Sequence, residues 1–291
     1  MMIQKSFANE TEGAIILVPT PIGNLEDITY RALNTLKTAT VIAAEDTRNT
    51  KKLLNYFEIT TPLTSYHEHT RNEKIEKLIN KAESGAQIAV VSDAGMPAIS
   101  DPGTDIVKAA LERDIKVIVL PGANAALSAL VGSGLSTDEF YFYGFLPRKK
   151  KEKVEVLDRL KSIPASLLFY ESPFRVKDTV NVLHETLGDR KITLARELTK
   201  RFEEYIRGTI EEVLTWVETN ELKGEFVIVV EGANEDDAQA AADWWIDLEM
   251  KEHVEHYMDQ EGLSSKEAIK QTAMDRGVPK REVYQNYHIR N

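Results

Sequence analysis

Short apolar runs alternate with helical patterns along the first 120 residues, and this alternation is the strongest constraint on the fold. Each run has the length and the continuous apolar character of a strand buried on both faces. The runs lie at 14–19, 41–44, 88–91 and 116–120, and the helical patterns at 27–38, 48–57, 71–84 and 103–113. Strands alternating with helices predict a mainly parallel sheet covered on both faces, with ligands bound beyond the carboxyl ends of its strands.

A second α/β set follows residue 140, where an aromatic strand runs into a basic turn. Its predicted strands are 166–170, 191–195 and 225–230, and its predicted helices are 150–161, 174–187 and 209–219. The last segment reads as two short helices joined at Val278-Pro279, a helix-turn-helix. We therefore expect an α/β protein with domains at 1–140 and 141–234 and an acidic helix plus helix-turn-helix at 235–291.

Composition restricts the classes of function. The chain has 36 basic and 47 acidic residues, a net charge of −11, which argues against indiscriminate binding to phosphate polymers. Because cysteine is absent, disulfides, thiolate zinc sites and a cysteine nucleophile are excluded. The first residues lack the apolar stretch of a signal peptide, and no apolar run reaches the length of a membrane span, so we expect a soluble cytoplasmic protein.

The loop Ser92–Gly103, directly after the third apolar run, contains two glycines, two prolines and two aspartates. Glycine lets a backbone approach a ligand closely and proline fixes φ, so the loop reads as a moulded binding surface. Similar segments, Pro19–Asn24 and Pro121–Asn124, follow other strands. None contains Lys or Arg, which favours an uncharged or cationic small molecule over a phosphate. Ordinary structural turns are the alternative.

Polar clusters follow two further strands. The first contains Glu45, Asp46 and Arg48, and the second Arg196, Glu197 and Lys200. At strand ends such side chains face the ligand crevice, although a helix N-cap and a solvated loop are the respective alternatives. His67 and His69 are weak evidence for a metal, so we predict none.

Two local cation clusters stand out on this acidic chain. Arg148, Lys149, Lys150 and Lys151, with Lys153, follow four aromatic residues, and Lys280 and Arg281 lie in the basic tail. Cations beside aromatic side chains suit single-stranded nucleic acid, although the aromatic residues equally suit a buried strand. We expect both clusters to bind RNA.

Eight motifs together resemble those of the bacterial ribosomal RNA small subunit methyltransferase I family, in the tetrapyrrole-methylase-like superfamily. They occur in order over about residues 14–291, which covers nearly the whole chain. The motifs are Thr20–Asp27, Ala44–Arg48, Ser92–Gly103, Leu120–Asn124, Phe145–Arg148, Tyr170–Arg175, Ala195–Lys200 and Lys223–Glu225.

The resemblance implies a class III methyltransferase fold with S-adenosylmethionine in an interdomain cleft, a homodimer, and 2′-O-methylation of a cytidine ribose in small-subunit ribosomal RNA. The cofactor-binding residues that it implies are Pro19, Gly23, Asp93, Ala94, Gly95, Met96, Pro97, Ala98, Ser100, Pro121, Gly122, Ala123, Tyr170, Glu171, Pro173 and Gly224. A ribose hydroxyl is a weak nucleophile that a base or a cation would assist. Our catalytic candidates are therefore Glu45, Asp46, Arg48, Arg196, Glu197 and Lys200.

Two alternatives stay open. The same core suits a methyltransferase acting on a small tetrapyrrole, which has no need of a basic tail. The tail is also compatible with a ligand-sensing DNA-binding regulator, although such a protein has no need of polar clusters at several strand ends.

Overall fold

The computed structural model describes residues 3–6, 12–66, 71–234 and 245–288. The chain divides into two compact units. The first comprises Met1–Arg159 and Ala165–Glu231, and the second comprises Leu160–Pro164 and Gly232–Asn291. The first unit contains two five-stranded sheets and the second contains helices.

The first sheet is wholly parallel, as the alternating pattern predicts. Its strands are Ala14–Leu17 (β1), Val41–Ala44 (β2), Leu63–Ser65 (β3), Gln87–Val91 (β4) and Lys116–Val119 (β5), in the order β3-β2-β4-β1-β5. The helices that follow its strands are Tyr30–Thr38 (α1), Thr47–Tyr56 (α2), Arg71–Glu83 (α3), Thr104–Glu112 (α4) and Ala125–Ser133 (α5).

Both faces of this sheet are buried. Along β1, Ile15 belongs to one core cluster with α3 and α4, whereas Ile16 belongs to the cluster on the other face with α1 and α2. Successive side chains of a strand point to opposite faces, so a sheet covered on both sides needs continuous apolar strands. The predicted α/β class is confirmed.

The second sheet is mixed. Its strands are Phe140–Phe145 (β6), Ser166–Glu171 (β7), Lys191–Arg196 (β8), Glu204–Thr209 (β9) and Phe226–Val230 (β10), in the order β6-β7-β10-β8-β9. Only the β6–β7 pair among them is parallel. Its further helices are Lys150–Leu160 (α6), Val176–Leu187 (α7) and Ile210–Thr219 (α8). Helix α5 packs on one face of this sheet through Ala126, Ala129 and Leu130.

The second unit has its own small core. Its helices are Met250–Gln260 (α9), Ser265–Asp275 (α10) and Lys280–His288 (α11). They pack through Val254, Tyr257, Ile269 and Val283, so the predicted helices around Val278-Pro279 are present and joined to a third. The predicted acidic segment is described in part: residues 235–244 lie outside the described residues, as do His67 and His69, whereas α9 falls within this segment. Within the described residues, no helix has the length and apolar character needed to span a membrane.

Candidate active site

A cavity of about 520 Å³ lies at the ends of strands from both sheets. Its walls come from the loops after β4, β7 and β8 and from the start of α5, as expected for a ligand site in an α/β protein. The predicted residues that line it are Asp93, Ala94, Gly95, Met96, Ser100, Tyr170, Glu171, Pro173, Glu197 and Lys200.

The Ser92–Gly103 loop is held against the end of β1. Gly95 and Thr20 exchange two backbone hydrogen bonds, with N–O distances of 3.0 and 2.9 Å. Ala98 and Ser100 adopt positive φ angles of 68° and 59°. Left-handed backbone at a residue with a side chain costs energy and persists only where the surroundings impose it. The loop therefore has a shape imposed by its contacts.

Several predicted cofactor residues lie outside the lining of this cavity. They are Pro19, Gly23, Pro97, Ala98, Pro121, Gly122, Ala123 and Gly224. Two of the glycines nevertheless allow close packing behind the wall. A Cβ on Gly122 would lie 2.6 Å from the Cβ of Pro19, and one on Gly224, whose φ is 79°, would overlap the side chain of Glu197. We keep these residues as predicted contributors to the shape of the site.

Lys200 links two glutamates at the rim of the cavity. Its Nζ donates to Glu197 Oε1 at 2.9 Å and to Glu225 Oε2 at 3.3 Å, and the Glu225 backbone N–H donates to Glu197 Oε1 at 3.1 Å. The side chains of Glu197 and Lys200 are 23% and 32% exposed, so solvent screens the pair only in part. This cluster joins the loops that follow β8 and precede β10.

The cluster keeps both partners charged. Burial alone would raise the pKa of Glu197, yet the hydrogen bonds from Lys200 and Glu225 lower it below its ordinary value. Burial alone would lower the pKa of Lys200, but its bonds to Glu197 and Glu225 raise it. Lys200 is therefore an ammonium at neutral pH and acts as a cation and hydrogen-bond donor, not as a base.

Another part of the lining combines a carboxyl group with aromatic rings. Burial raises the pKa of Asp101, and it also raises the pKa of Tyr170. The ring of Tyr170 contacts Phe145 and Phe142, with centroids 5.6 and 4.9 Å apart. Carboxylates and aromatic faces attract a cation.

Four predicted catalytic residues do not line this cavity. Asp46 accepts from the Arg48 backbone N–H at 2.8 Å and caps α2, while its Oδ2 lies 2.7 Å from Arg48 Nη2. Arg196 pairs with Glu204 at 2.7 Å on the adjacent strand β9. Glu45, just before Asp46, is likewise absent from the lining. The capping alternative accounts for Asp46, and catalytic roles for all four remain predictions.

Sequence reasoning missed other residues of the wall: Ile22, Ile99, Asp101, Asn124, Ala125, Phe145, Ser172, Leu198, Glu225, Phe226 and Val227. Asp101 lies within the Gly/Pro-rich loop and Glu225 directly after Gly224, so both belong to sequence motifs that already indicate a binding site. The apolar members carry no such signal, because an apolar residue beside a strand end is typical of any core.

Lys153 corrects one expectation. The sequence places it in an exposed basic cluster, but its side chain is fully buried and donates to Asp178 Oδ2 at 2.6 Å and Thr179 Oγ1 at 3.0 Å. The Thr179 hydroxyl donates in turn to Glu171 Oε2 at 2.7 Å, and Glu171 reaches the cavity wall. Lys153 points inward because it lies at helical spacing from the buried residues Val156, Leu157 and Leu160, on the core-facing side of α6.

The other predicted RNA-binding cations are exposed. Lys149, Lys150 and Lys151 lie 2.9, 2.7 and 4.0 Å from the glutamates Glu152, Glu185 and Glu155. Arg148, Lys280 and Arg281 are exposed as well. Such exposed pairs are weak, so they leave the lysines able to exchange partners. RNA binding by these residues remains a prediction. No cluster of three or more potential metal ligands occurs within the ranges described.

Comparison with known proteins identifies the family. The family model for tetrapyrrole (corrin/porphyrin) methylases matches residues 14–214. The chain is 54% identical over 288 residues to the ribosomal RNA small subunit methyltransferase I of Bacillus subtilis (strain 168), covering 99% of this chain and 98% of that protein. It is 52% identical over 289 residues to the protein of the same name from Halalkalibacterium halodurans, covering 99% of each.

A solved structure shares the fold. The uroporphyrin-III C-methyltransferase from Thermus thermophilus, complexed with S-adenyl homocysteine, is 19% identical with a TM-score of 0.53, and the match covers 75% of this chain and 97% of that one. At this identity the likeness concerns the fold alone. The full-length relatives carry the assignment: the chain belongs to the ribosomal RNA small subunit methyltransferase I family, within the tetrapyrrole methylases.

Proposed function

We propose that the protein transfers a methyl group from S-adenosylmethionine to the 2′-hydroxyl of a cytidine in small-subunit ribosomal RNA. The observation that carries the proposal is the cavity at the strand ends, whose charged wall suits a cation, in a chain whose relatives are named for a ribosomal RNA small subunit methyltransferase. The choice of the ribose 2′-hydroxyl and of cytidine as the base is the more specific part of this proposal.

The residues present fit a sulfonium cofactor. Asp93, Asp101 and Glu197 supply carboxyl oxygens, and Phe145 and Tyr170 supply aromatic faces. Among the described residues, Lys200 is the one cation in the lining, and it is paired with two glutamates. When bound, S-adenosylmethionine supplies a methyl group made electrophilic by the positive sulfur.

The chain's own groups then have three tasks. The Ser92–Gly103 loop and the start of α5 orient the donor, since methyl transfer is an in-line displacement that depends on alignment. Lys200 places an ammonium at the rim, where it stabilises the negative charge on the hydroxyl oxygen as that oxygen gives up its proton to solvent. Glu197 holds Lys200 in place by accepting its 2.9 Å hydrogen bond, and this bond also lowers the pKa of Glu197.

The test is incubation of the protein with S-adenosylmethionine labelled in the methyl group and small ribosomal subunits from a strain that lacks the enzyme. Nuclease digestion to nucleosides should give labelled 2′-O-methylcytidine. Label on a base nitrogen or carbon, or no label in RNA at all, would contradict the proposal.

A tetrapyrrole acceptor is the second candidate, favoured by the matched family model. Parallel incubation with uroporphyrinogen III separates the two, because transfer to it and not to ribosomal subunits would favour the tetrapyrrole reaction.

We also propose a homodimer in the cytoplasm. Leu127 and Val131, 47% and 76% exposed on α5, support a partner surface of this kind. Light scattering of the purified protein would test it, since a monomer mass at micromolar concentration would exclude a stable dimer.

A further inference from the structure

A second cavity, of about 600 Å³, adjoins the first. Five residues line both cavities: Ile22, Asp93, Ala94, Lys200 and Glu225. A molecule in the second cavity therefore lies next to one in the first. Methyl transfer requires the acceptor oxygen to reach the methyl carbon directly, and adjoining sites for acceptor and donor meet the first condition for this.

One face of α2 forms the outer wall of this cavity. The residues that it contributes are Asn49, Lys52, Leu53 and Tyr56, together with Thr50. Asn49, Lys52, Leu53 and Tyr56 are spaced by three and four positions, which places them on one side of the helix. Leu54 instead packs into the core. Helix α2 is capped by Asp46 and anchored in the core by the buried side chain of Leu54.

The chemistry of this face matches a nucleotide. The Tyr56 ring is 65% exposed and is held edge-on by Phe57, with centroids 4.9 Å apart and planes at 85°. Such a ring is a platform for base stacking. Lys52, one turn earlier and exposed, is a cation for a phosphate. Asn49 Nδ2 lies 3.4 Å from Asp93 Oδ2, which places a donor and an acceptor together at the wall between the cavities.

We propose that the second cavity holds one unpaired nucleotide of the RNA, with its base stacked on Tyr56 and a phosphate on Lys52. The ribose then faces the shared wall at Lys200. Enzymes that modify a nucleotide take it out of its stack in this way, and ribosomal RNA offers unpaired nucleotides whose 2′-hydroxyl is accessible. This inference rests on the proposed function and specifies which residues select the acceptor.

The experiment measures the kinetics of methyl transfer to small ribosomal subunits lacking the modification. Loss of one base–aromatic stack should raise the KM for subunits roughly 5- to 150-fold in Tyr56→Leu, whereas Tyr56→Phe should stay close to the unmodified enzyme. Lys52→Met should raise KM and reduce the slope of log KM against log salt by about 0.7. Calorimetric affinity for S-adenosylhomocysteine should be unchanged in all three variants.

Two exposed controls match these variants. Tyr30→Leu removes an aromatic ring that is 89% exposed on α1, and Lys51→Met removes a cation next to Lys52; neither residue lines the cavity. Both should leave KM unchanged. A Tyr56→Leu enzyme with the unmodified KM, or one that loses cofactor affinity to the same degree, would overturn the inference while leaving the proposed function standing. If the unmodified enzyme transfers no methyl group to RNA, the proposed function fails and the inference fails with it.

Discussion

Hydrogen bonds fix the positions of the ionised side chains at the rim of the first cavity. Glu197 has a φ of 50° and its carboxylate meets both Lys200 and the backbone of Glu225. The strained backbone turns the carboxylate toward its partners, and their hydrogen bonds lower its pKa. The charged motif that contains Glu197 and Lys200 is, from its sequence, equally compatible with a solvated loop. In the structure these two residues form an ion cluster with Glu225.

Lys200→Gln should lower kcat for methyl transfer about 100-fold, because the developing charge on the acceptor oxygen loses its cation. Since the pKa of Lys200 is raised, the unmodified enzyme keeps this cation through neutral and mildly alkaline pH. Steady-state kinetics of the purified variant measure the effect. Lys223→Gln, which breaks an exposed pair with Glu221, is the matched control, and equal losses in both variants would remove Lys200 from the mechanism.

The helices and strands predicted from strong periodic patterns are present in the structure, with small shifts at their ends. The elements that the sequence did not predict are short or have atypical sequences. Strand β3 has three residues, and β9 is an edge strand whose sequence, Glu-Tyr-Ile-Arg-Gly-Thr, carries two charges and a glycine. Helix α5 is apolar on nearly all sides, so it shows little of the helical periodicity that identifies the other helices.

A buried series of hydrogen bonds connects helices α6 and α7. It runs from Lys153 through Thr179 to Glu171. Lys153→Met should reduce the free energy of unfolding by roughly 1–3 kcal/mol, because Asp178 and Thr179 lose the hydrogen bonds that the buried ammonium donates. Denaturant unfolding measures this. Lys151→Met, which removes a side chain that is 90% exposed, should change stability by less than about 0.5 kcal/mol. Equal free energies of unfolding for the two variants would show that these buried hydrogen bonds do not stabilise the fold.

At the scale of the whole molecule, the second unit has its own core and its own buried histidine. His253 accepts from Arg276 Nε at 3.1 Å, lies 3.1 Å from Asp275 Oδ2, and is stacked between Trp245 and Tyr257. Burial lowers its pKa, the Arg276 charge lowers it further, and His256 adds to this, against the opposing effect of Asp275. The histidine is therefore neutral in the folded unit at neutral pH.

This unit should lose stability as the pH falls below about 6.5, since the unfolded chain then binds a proton that the folded His253 does not. Hydrogen exchange of the amides in α9 and α10, corrected for intrinsic rates, should show less protection at about pH 5.5 than at about pH 7. His253→Gln should flatten this dependence and His184→Gln, an exposed control on α7, should not. Protection that is unchanged between the two pH values would contradict the prediction.

The basic tail of the second unit, with six Lys or Arg residues against three acidic ones from Lys266 to Arg290, is predicted to contact RNA. A Lys280→Gln, Arg281→Gln double variant should raise the KM for ribosomal subunits and reduce the slope of log KM against log salt by about 1.4, as expected for two lost phosphate contacts. Affinity for S-adenosylhomocysteine should stay constant. Lys37→Gln with Lys108→Gln, two exposed cations of the first unit, is the control. If the double variant has the same slope of log KM against log salt as the unmodified protein, RNA does not contact Lys280 and Arg281.

The α/β architecture and the position of the ligand wall follow from the sequence itself, because apolar periodicity and Gly/Pro loops are local properties. Most predicted cofactor residues of the Ser92–Gly103 loop, all but Pro97 and Ala98, accordingly line the cavity, as do those predicted at and after the strand that begins at 166. Only the tertiary structure decides which charges meet. Lys153 turns inward to Thr179, Lys200 meets Glu225, and one face of α2 adjoins Asp93. These contacts join residues 25 or more positions apart, whose distances depend on how the elements pack and not on any local pattern.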